Sequence, residues 1–362
     1  MTTPDARTLR PAEVPAAVTE VLREYISART PDAAKVGEPV ARAVGHLSRF
    51  VLGGGKRVRP LYGWVGFTAA DGLAGDEDPQ VVLRAVSSLE FIQACALIHD
   101  DIIDASDTRR GAPTVHRAVE RRHHDGAWLG DAGHFGESAA ILTGDLALVW
   151  AEDMLQDSGL SDAALRRVRE PWRAMRTEVI GGQLLDIALE ALGSEDPADA
   201  DAVNRFKTAA YTIERPLHLG AALAGADDAT VDKLRGYGRD VGVAFQLRDD
   251  LLGVFGDPEV TGKPAGDDIR EGKRTVLLAL ALVSADASDP EAAARLRAGI
   301  GSADPEVIAR VTDAIAATGA REQVEERIGA LLESGLAHLD GLPAETCDVL
   351  SDLAVRATAR HR

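Results

Sequence analysis

An all-α fold is predicted for this chain, and three observations predict it. Apolar residues return at three- and four-residue steps in AVTEVLREYI, AVGHLSRFVL and VEERIGALLESGLAHL, the period of a helix with one buried face. Runs of strict apolar and polar alternation, the mark of half-buried strands, are missing. Aromatic residues make up only 4% of the chain, while alanine and leucine, both good helix formers, abound.

Taken in order, residues 1–13 hold Pro4 and Pro11 and little apolar content, and are expected to be flexible. Residues 14–362 are expected to fold as one domain, with helical blocks separated by short turns. At 362 residues the chain can bury a sizeable core. The first break, GGGKRVRP from Gly53 to Pro60, sets Lys56, Arg57 and Arg59 behind three glycines. It reads either as a phosphate cradle, because glycine lets a ligand approach the backbone, or as a helix end whose basic residues answer the dipole. It is not a Walker A loop, since Phe50 and Arg57 stand where glycine and a hydroxyl residue are required. The next break, ASDTRRGAPT from Ala105 to Thr114, again carries paired arginines. His123 to Glu137 and Gly193 to Asp201 read as surface connections. The long break from Gly256 to Lys273 is a lid candidate, because aperiodic loops of that length usually work as lids or binding loops.

The acidic residues carry the chemistry. Asp100, Asp101 and Asp104 in LIHDDIID, and Asp249 with Asp250 in FQLRDDLLG, interrupt apolar sequence. Carboxylates on such a face need a compensating cation. Asp100 and Asp104, four residues apart, share a helix face and repel each other. An oxygen-only donor set favours a hard cation, and Mg2+ typically completes its shell with water and substrate phosphate. Two such clusters predict one shared site for a phosphorylated ligand. Arg109 and Arg110 follow the first cluster, and Lys263 and Lys273 follow the second, where cations can grip diphosphate oxygens.

Composition closes other routes. The formal net charge of -18 disfavours a nucleic-acid partner. Cys95 and Cys347 are too few for a disulfide framework, so a cytoplasmic protein is expected. No stretch of about 18 uninterrupted apolar residues reads as a membrane span.

With GGGKRVRP, HDDIIDASDTRRGAPTVH, GGQLLD, FKTAAYT and FQLRDDLLGVFGDPEVTGKPAGDDIREGKRT in that order, the chain resembles the polyprenyl synthetase family, the trans-isoprenyl diphosphate synthases. It is most similar to the geranylgeranyl diphosphate synthases of the actinobacterial type. The resemblance runs from about Gly37 to the C-terminus. It implies a bundle of ten or more helices around a central cavity, a homodimer, and three Mg2+ ions per active site held by Asp100, Asp101, Asp104, Asp249 and Asp250. It also implies Lys56, Arg59, Gln93 and Arg110 on isopentenyl diphosphate, and Arg109, Lys207, Lys263 and Lys273 around an allylic diphosphate. Thr208 and Gln246 would flank the reacting carbons. Gln93 stands where many relatives have histidine, which keeps hydrogen bonding but not protonation. Gly253 stands where a third aspartate is common, with Asp257 or Asp268 as candidate substitutes.

The resemblance places chain-length control at Ile92, Cys95 and Ala96, one to two turns before Asp100. Small residues at 95 and 96 predict a tunnel reaching beyond a C15 chain, unless Trp150 blocks it, and hence geranylgeranyl diphosphate. Farnesyl or longer polyprenyl diphosphates are the alternatives. A class I terpene cyclase would not need GGGKRVRP or the Lys207-Thr208 pair. A phosphohydrolase prompted by His99 and Asp100 lacks further histidines in pattern, and a non-catalytic partner subunit would not need an intact first cluster.

Overall fold

A computed structural model describes residues 5–257 and 265–359. Lys263 lies outside the described residues. The helices are α1 (Val14–Val36), α2 (Glu38–Leu52), α3 (Val58–Ala69), α4 (Pro79–Ser87), α5 (Leu89–Ile103), α6 (Val115–Asp125), α7 (Ala132–Gln156), α8 (Asp162–Leu192), α9 (Pro197–Val203), α10 (Arg215–Ala224), α11 (Asp228–Phe255), α12 (Asp267–Glu271), α13 (Val276–Ser288), α14 (Pro290–Gly299), α15 (Pro305–Ala317), α16 (Ala320–Ala337) and α17 (Ala344–Thr358). Between α9 and α10, residues Asn204–Glu214 form π-helical turns. The all-α prediction holds. Among the described residues the strand content is one antiparallel ladder, β1 (Thr108–Arg109) with β2 (Ala112–Pro113).

The residues group into two compact units, Met1–Arg173 with Pro216–Val231, and Ala174–Arg215 with Asp232–Arg362. In the first, α7 packs against both α5 and α6, and α1 packs against α2. Its core includes Trp64, Tyr62, Phe67, Phe91, Leu83, Leu89 and Ile98, all nearly inaccessible to solvent. In the second, the core runs from Leu189 through Val203, Leu247, Leu251 and Leu282 to Ile328. Each unit thus buries an apolar stripe from several helices, the outcome that three- and four-residue periodicity demands.

Local chemistry sets the helix ends. Asp78 caps α4 by accepting from the Gln80 amide at 3.1 Å, and Asp131 caps α7 by accepting from the His134 amide at 2.7 Å, so that two of the orphaned first-turn donors are satisfied. Residues 5–13, which lack periodicity, form two 310 turns, Ala6–Thr8 and Pro11–Glu13, with Ala6 buried. The stretch His123 to Glu137 is less of a surface connection than its sequence predicts. His123 is buried at the end of α6 against Phe135 and Trp128, and Ala132 already begins α7. Histidine and tryptophan side chains supply the apolar contact there, which a reading by polarity overlooks.

Candidate active site

The first acidic cluster lies at the C-terminal end of α5, where Asp104 is the C-cap. Carboxylates are unfavourable at this end, because the helix dipole already places negative charge there. Capping therefore does not explain them. The three differ in orientation. Asp101 is 1% exposed, and its Oδ1 accepts from Arg109 Nε at 2.7 Å. Its Oδ2 is buried without a hydrogen-bond partner. Burial pushes the Asp101 carboxyl up to about 6 despite Arg109, with Asp100 and Asp104 adding to the rise. Asp100 and Asp104 are partly accessible, and Arg109 Nη2 stands 3.5 Å from Asp100 Oδ2. The donor set suits a hard cation. Among the described residues no three carboxylate, imidazole or thiol groups are already gathered to hold an ion, so water and diphosphate oxygens would supply its remaining positions.

Along α5, partial accessibility runs through Gln93, Ala96, Leu97, Asp100 and Asp104, one face at helical spacing. Ile92 and Cys95 are turned inward, at 2% and 9% exposure. Cys95 Sγ lies 3.8 Å from His99 Nδ1. Burial pushes the Cys95 thiol up to about 12, which leaves it an inert packing group. At the N-terminal part of the helix Phe91 meets Tyr25 of α1 and Trp150 of α7, with ring centroids 5.6 to 6.0 Å apart.

The two basic breaks of the first unit come together. Arg110 and Gly111 both have positive φ, 54° and 74°, so β1 and β2 are joined by a two-residue turn of the I′ pattern, in which positive φ at both positions matches the strand twist. From this turn Arg110 Nη1 donates to Gly54 O at 2.8 Å, and Gly55 lies beside the same guanidinium. Burial lowers the pKa of Arg110, with Glu90 acting in the opposite direction and Arg109, Arg57 and Arg59 adding to the fall. Lys56 is exposed and Arg59 is buried.

Arg57 has a different job. Its guanidinium is buried and donates to Glu90 Oε2 at 2.6 Å, to Val51 O at 2.6 Å and to Thr19 Oγ1 at 3.2 Å. It ties the glycine break to α5, α2 and α1. Glu90 was detectable in the sequence as an acid inside the apolar run SSLEFIQACAL, since a buried carboxylate demands a partner.

In the second unit, Asp250 is 3% exposed. Its oxygens accept from Gln246 Nε2 at 2.7 Å and Asn204 Nδ2 at 3.5 Å. Burial pushes its carboxyl up to about 8, with Asp268 and Asp249 adding to the rise. The neighbouring Arg248 turns away: it forms a bidentate pair with Glu325 at 2.6 Å and donates to Thr358 O. Lys207 Nζ donates to Asp186 Oδ2 at 2.5 Å, and Lys273 pairs with Glu271 at 2.8 Å. Thr208 is partly exposed on the π segment. Asn204 carries no signal in the sequence.

Gly253 is explained by Asp268. A Cβ at position 253 would collide with the Asp268 carboxylate, which α12 sets against the same face of α11. The space where a third aspartate would begin therefore holds a carboxylate from another helix.

Residues 42–318 match the polyprenyl synthetase family. The chain belongs to this family. It is therefore a prenyltransferase, an isoprenyl diphosphate synthase. It is similar to a geranylgeranyl pyrophosphate synthase from Corynebacterium glutamicum, solved with isoprenyl diphosphate and magnesium, at 61% identity and a TM-score of 0.94 over 98% of this chain and 100% of that one. It is 32% identical to a geranylfarnesyl diphosphate synthase of Natronomonas pharaonis, over 92% of this chain and 93% of the relative. To a (2E,6E)-farnesyl diphosphate synthase of Mycobacterium tuberculosis it is 32% identical, over 83% and 78% respectively. Family membership supports Mg2+ as the cation of the acidic clusters.

Proposed function

We propose that this synthase extends allylic diphosphates with isopentenyl diphosphate to geranylgeranyl diphosphate. The observation that carries the chain length is the α5 face. Gln93, Ala96 and Leu97 leave the accessible face without an aromatic group for two turns before Asp100. Each turn rises about 5.4 Å, comparable with one extended isoprene unit. With its first unit beside the diphosphate, a C15 donor can lie along these two turns, which supports addition of one further unit to give C20.

Lys56, Arg59, Gln93 and Arg110 hold the isopentenyl diphosphate, and Arg109, Lys207, Lys263 and Lys273 hold the allylic diphosphate. Asp100 and Asp104, with Asp101 behind them, and Asp249 with Asp250 and the added Asp268 serve three Mg2+ ions. Bound Mg2+ supplies charge stabilisation for the departing diphosphate. The allylic C–O bond breaks with its electron pair leaving on diphosphate, the isopentenyl double bond attacks the allylic cation, and the released diphosphate takes the final proton. Thr208 and Gln246 flank the reacting carbons with neutral dipoles, which stabilise a cation without trapping it.

A homodimer is favoured by Ile141, Leu142 and Val149, exposed on α7, together with Leu129 just before it, a row of apolar side chains that a partner would cover. Two free cysteines suit a reducing cytoplasm. The test is incubation with Mg2+, isopentenyl diphosphate and, separately, C5, C10 and C15 allylic diphosphates, with products identified by mass. C20 from every accepted donor is expected. Products ending at C15, or running past C20, overturn the assigned length, and no condensation with any donor overturns the reading itself.

A further inference from the structure

The segment Asn204–Glu214 departs from α-helical form for eleven residues. π turns are rare, are usually single, and collect at functional sites, so a run of this length needs support from its surroundings. That support is present at its ends and along its length. Glu214, the last residue, is completely buried. Arg205, the second residue, donates from Nη1 to Glu214 Oε2, and Arg235 of α11 donates from Nε to Oε1 at 3.2 Å. The first of these pairs straps one end of the segment to the other. Burial works to raise the Glu214 pKa, yet the bond from Arg205 and the charges of Arg205, Arg215 and Arg235 hold it below the ordinary glutamate value.

Neighbouring helices leave room for the wide turns at three glycines. A Cβ at Gly182 of α8 would collide with the Lys207 backbone nitrogen. At Gly242 of α11 it would lie 2.7 Å from Ala209 Cα, and at Gly238 it would lie 2.5 Å from Glu214 Cα. Within this frame the segment directs Asn204 to Asp250 and Lys207 to Asp186. Tightening its turns to α-helical spacing would rotate Lys207 and Thr208 away from those directions.

We propose that Glu214, acting through Arg205, and Gly182 are positioning residues that hold the π register and so set Lys207 and Thr208 toward the allylic diphosphate. This rests on the reading of Lys207 as a donor-site residue. It assigns to a buried ion pair and a glycine the selectivity between the two substrates.

The test combines initial rates, with each diphosphate varied in turn at saturating Mg2+, and amide hydrogen exchange over residues 204–214. Glu214→Gln and Gly182→Ala are expected to raise the allylic KM by roughly tenfold or more while the isopentenyl KM moves by less than about twofold. Exchange should accelerate within 204–214 and not in α13. Arg205→Lys, which keeps one charged donor, should retain most of the allylic affinity and serves as the arbiter where either other variant fails to fold. Folded variants with an unchanged allylic KM, or with both KM values rising together, overturn the proposal. So does unchanged exchange in 204–214. If the wild type condenses no donor, the synthase reading fails, while the exchange measurement still decides whether Glu214 and Gly182 hold the segment.

Discussion

The clusters on α5 and α11 solve the same electrostatic problem in different ways. On α5, Asp101 is neutralised by a guanidinium from the adjoining hairpin, and Asp100 and Asp104 remain partly accessible at the negative end of the helix. On α11, Asp250 is buried behind two neutral amides with further acids nearby, and its carboxyl is pushed up to about 8, against about 6 for Asp101. Asp250 rises further because burial and the charges of Asp268 and Asp249 act on it with no guanidinium against them, whereas Arg109 holds Asp101 down. Asp101 is therefore mostly ionised near neutral pH. Asp250 keeps its proton there, and a cation held beside it would favour the ionised form.

The largest effect that would sharpen the contrast is expected from Asp100→Ala, which should cut condensation by about 10³-fold, as removal of a charge-stabilising group commonly does. Product formation at saturating substrates measures it, and retained turnover would remove the α5 cluster from the chemistry. Next comes a change of product. Ala96→Phe places a ring on the accessible face and should shift C20 toward C15 with the fold intact, whereas Cys95→Phe forces the ring into packed core and should add a stability cost of about 1 to 3 kcal/mol. Mass analysis and thermal melts separate the two, and an unchanged C20 product from Ala96→Phe would reject that face as the ruler.

On the other side, Gly253→Asp restores the aspartate common in the family but collides with Asp268. It should destabilise by about 1 to 3 kcal/mol, and Asp268→Gly in the same chain should recover most of the loss. Equal melting of the single variant and the wild type would show that the two positions do not share space.

A further contrast lies in the pH dependence of the Mg2+-free protein. A carboxyl whose folded pKa is raised keeps its proton where the unfolded chain has lost it, so its own contribution to stability is fully present below about pH 4 and is lost as pH rises through the folded value. Asp101 contributes this fall up to about pH 6 and Asp250 up to about pH 8. Asp250→Asn should therefore flatten the melting temperature between pH 6 and 8, and Asp101→Asn only below pH 6. A chelator-treated wild type that grows more stable from pH 6 to 8 would contradict the assignment.

Much of this was legible in the sequence because charge in an apolar run is conspicuous. The all-α form, both acidic clusters and the basic breaks could be read from periodicity and composition. What escaped depends on helix against helix. Arg57 looked like a ligand for phosphate, yet it is spent on Glu90, a partner 33 positions away that only packing brings near. Asn204 and Glu214 carry no motif, since a π turn has no period of its own in a short window. Gly253 looked like a lost ligand until its neighbour on α12 was in view. Ile92 and Cys95 shared a predicted face with Ala96, but helix rotation puts them inside.

Arg110 joins two demands that one residue rarely meets. A turn with φ of 54° favours glycine or asparagine, and a side chain there carries a penalty of about 1 to 2 kcal/mol. The proposed acceptor role nevertheless asks for a guanidinium at this point, and the one present reaches across to Gly54. Selection for thermal robustness alone would therefore drift position 110 toward asparagine, and a library screened only for melting temperature should enrich variants that hold their fold better and their acceptor worse.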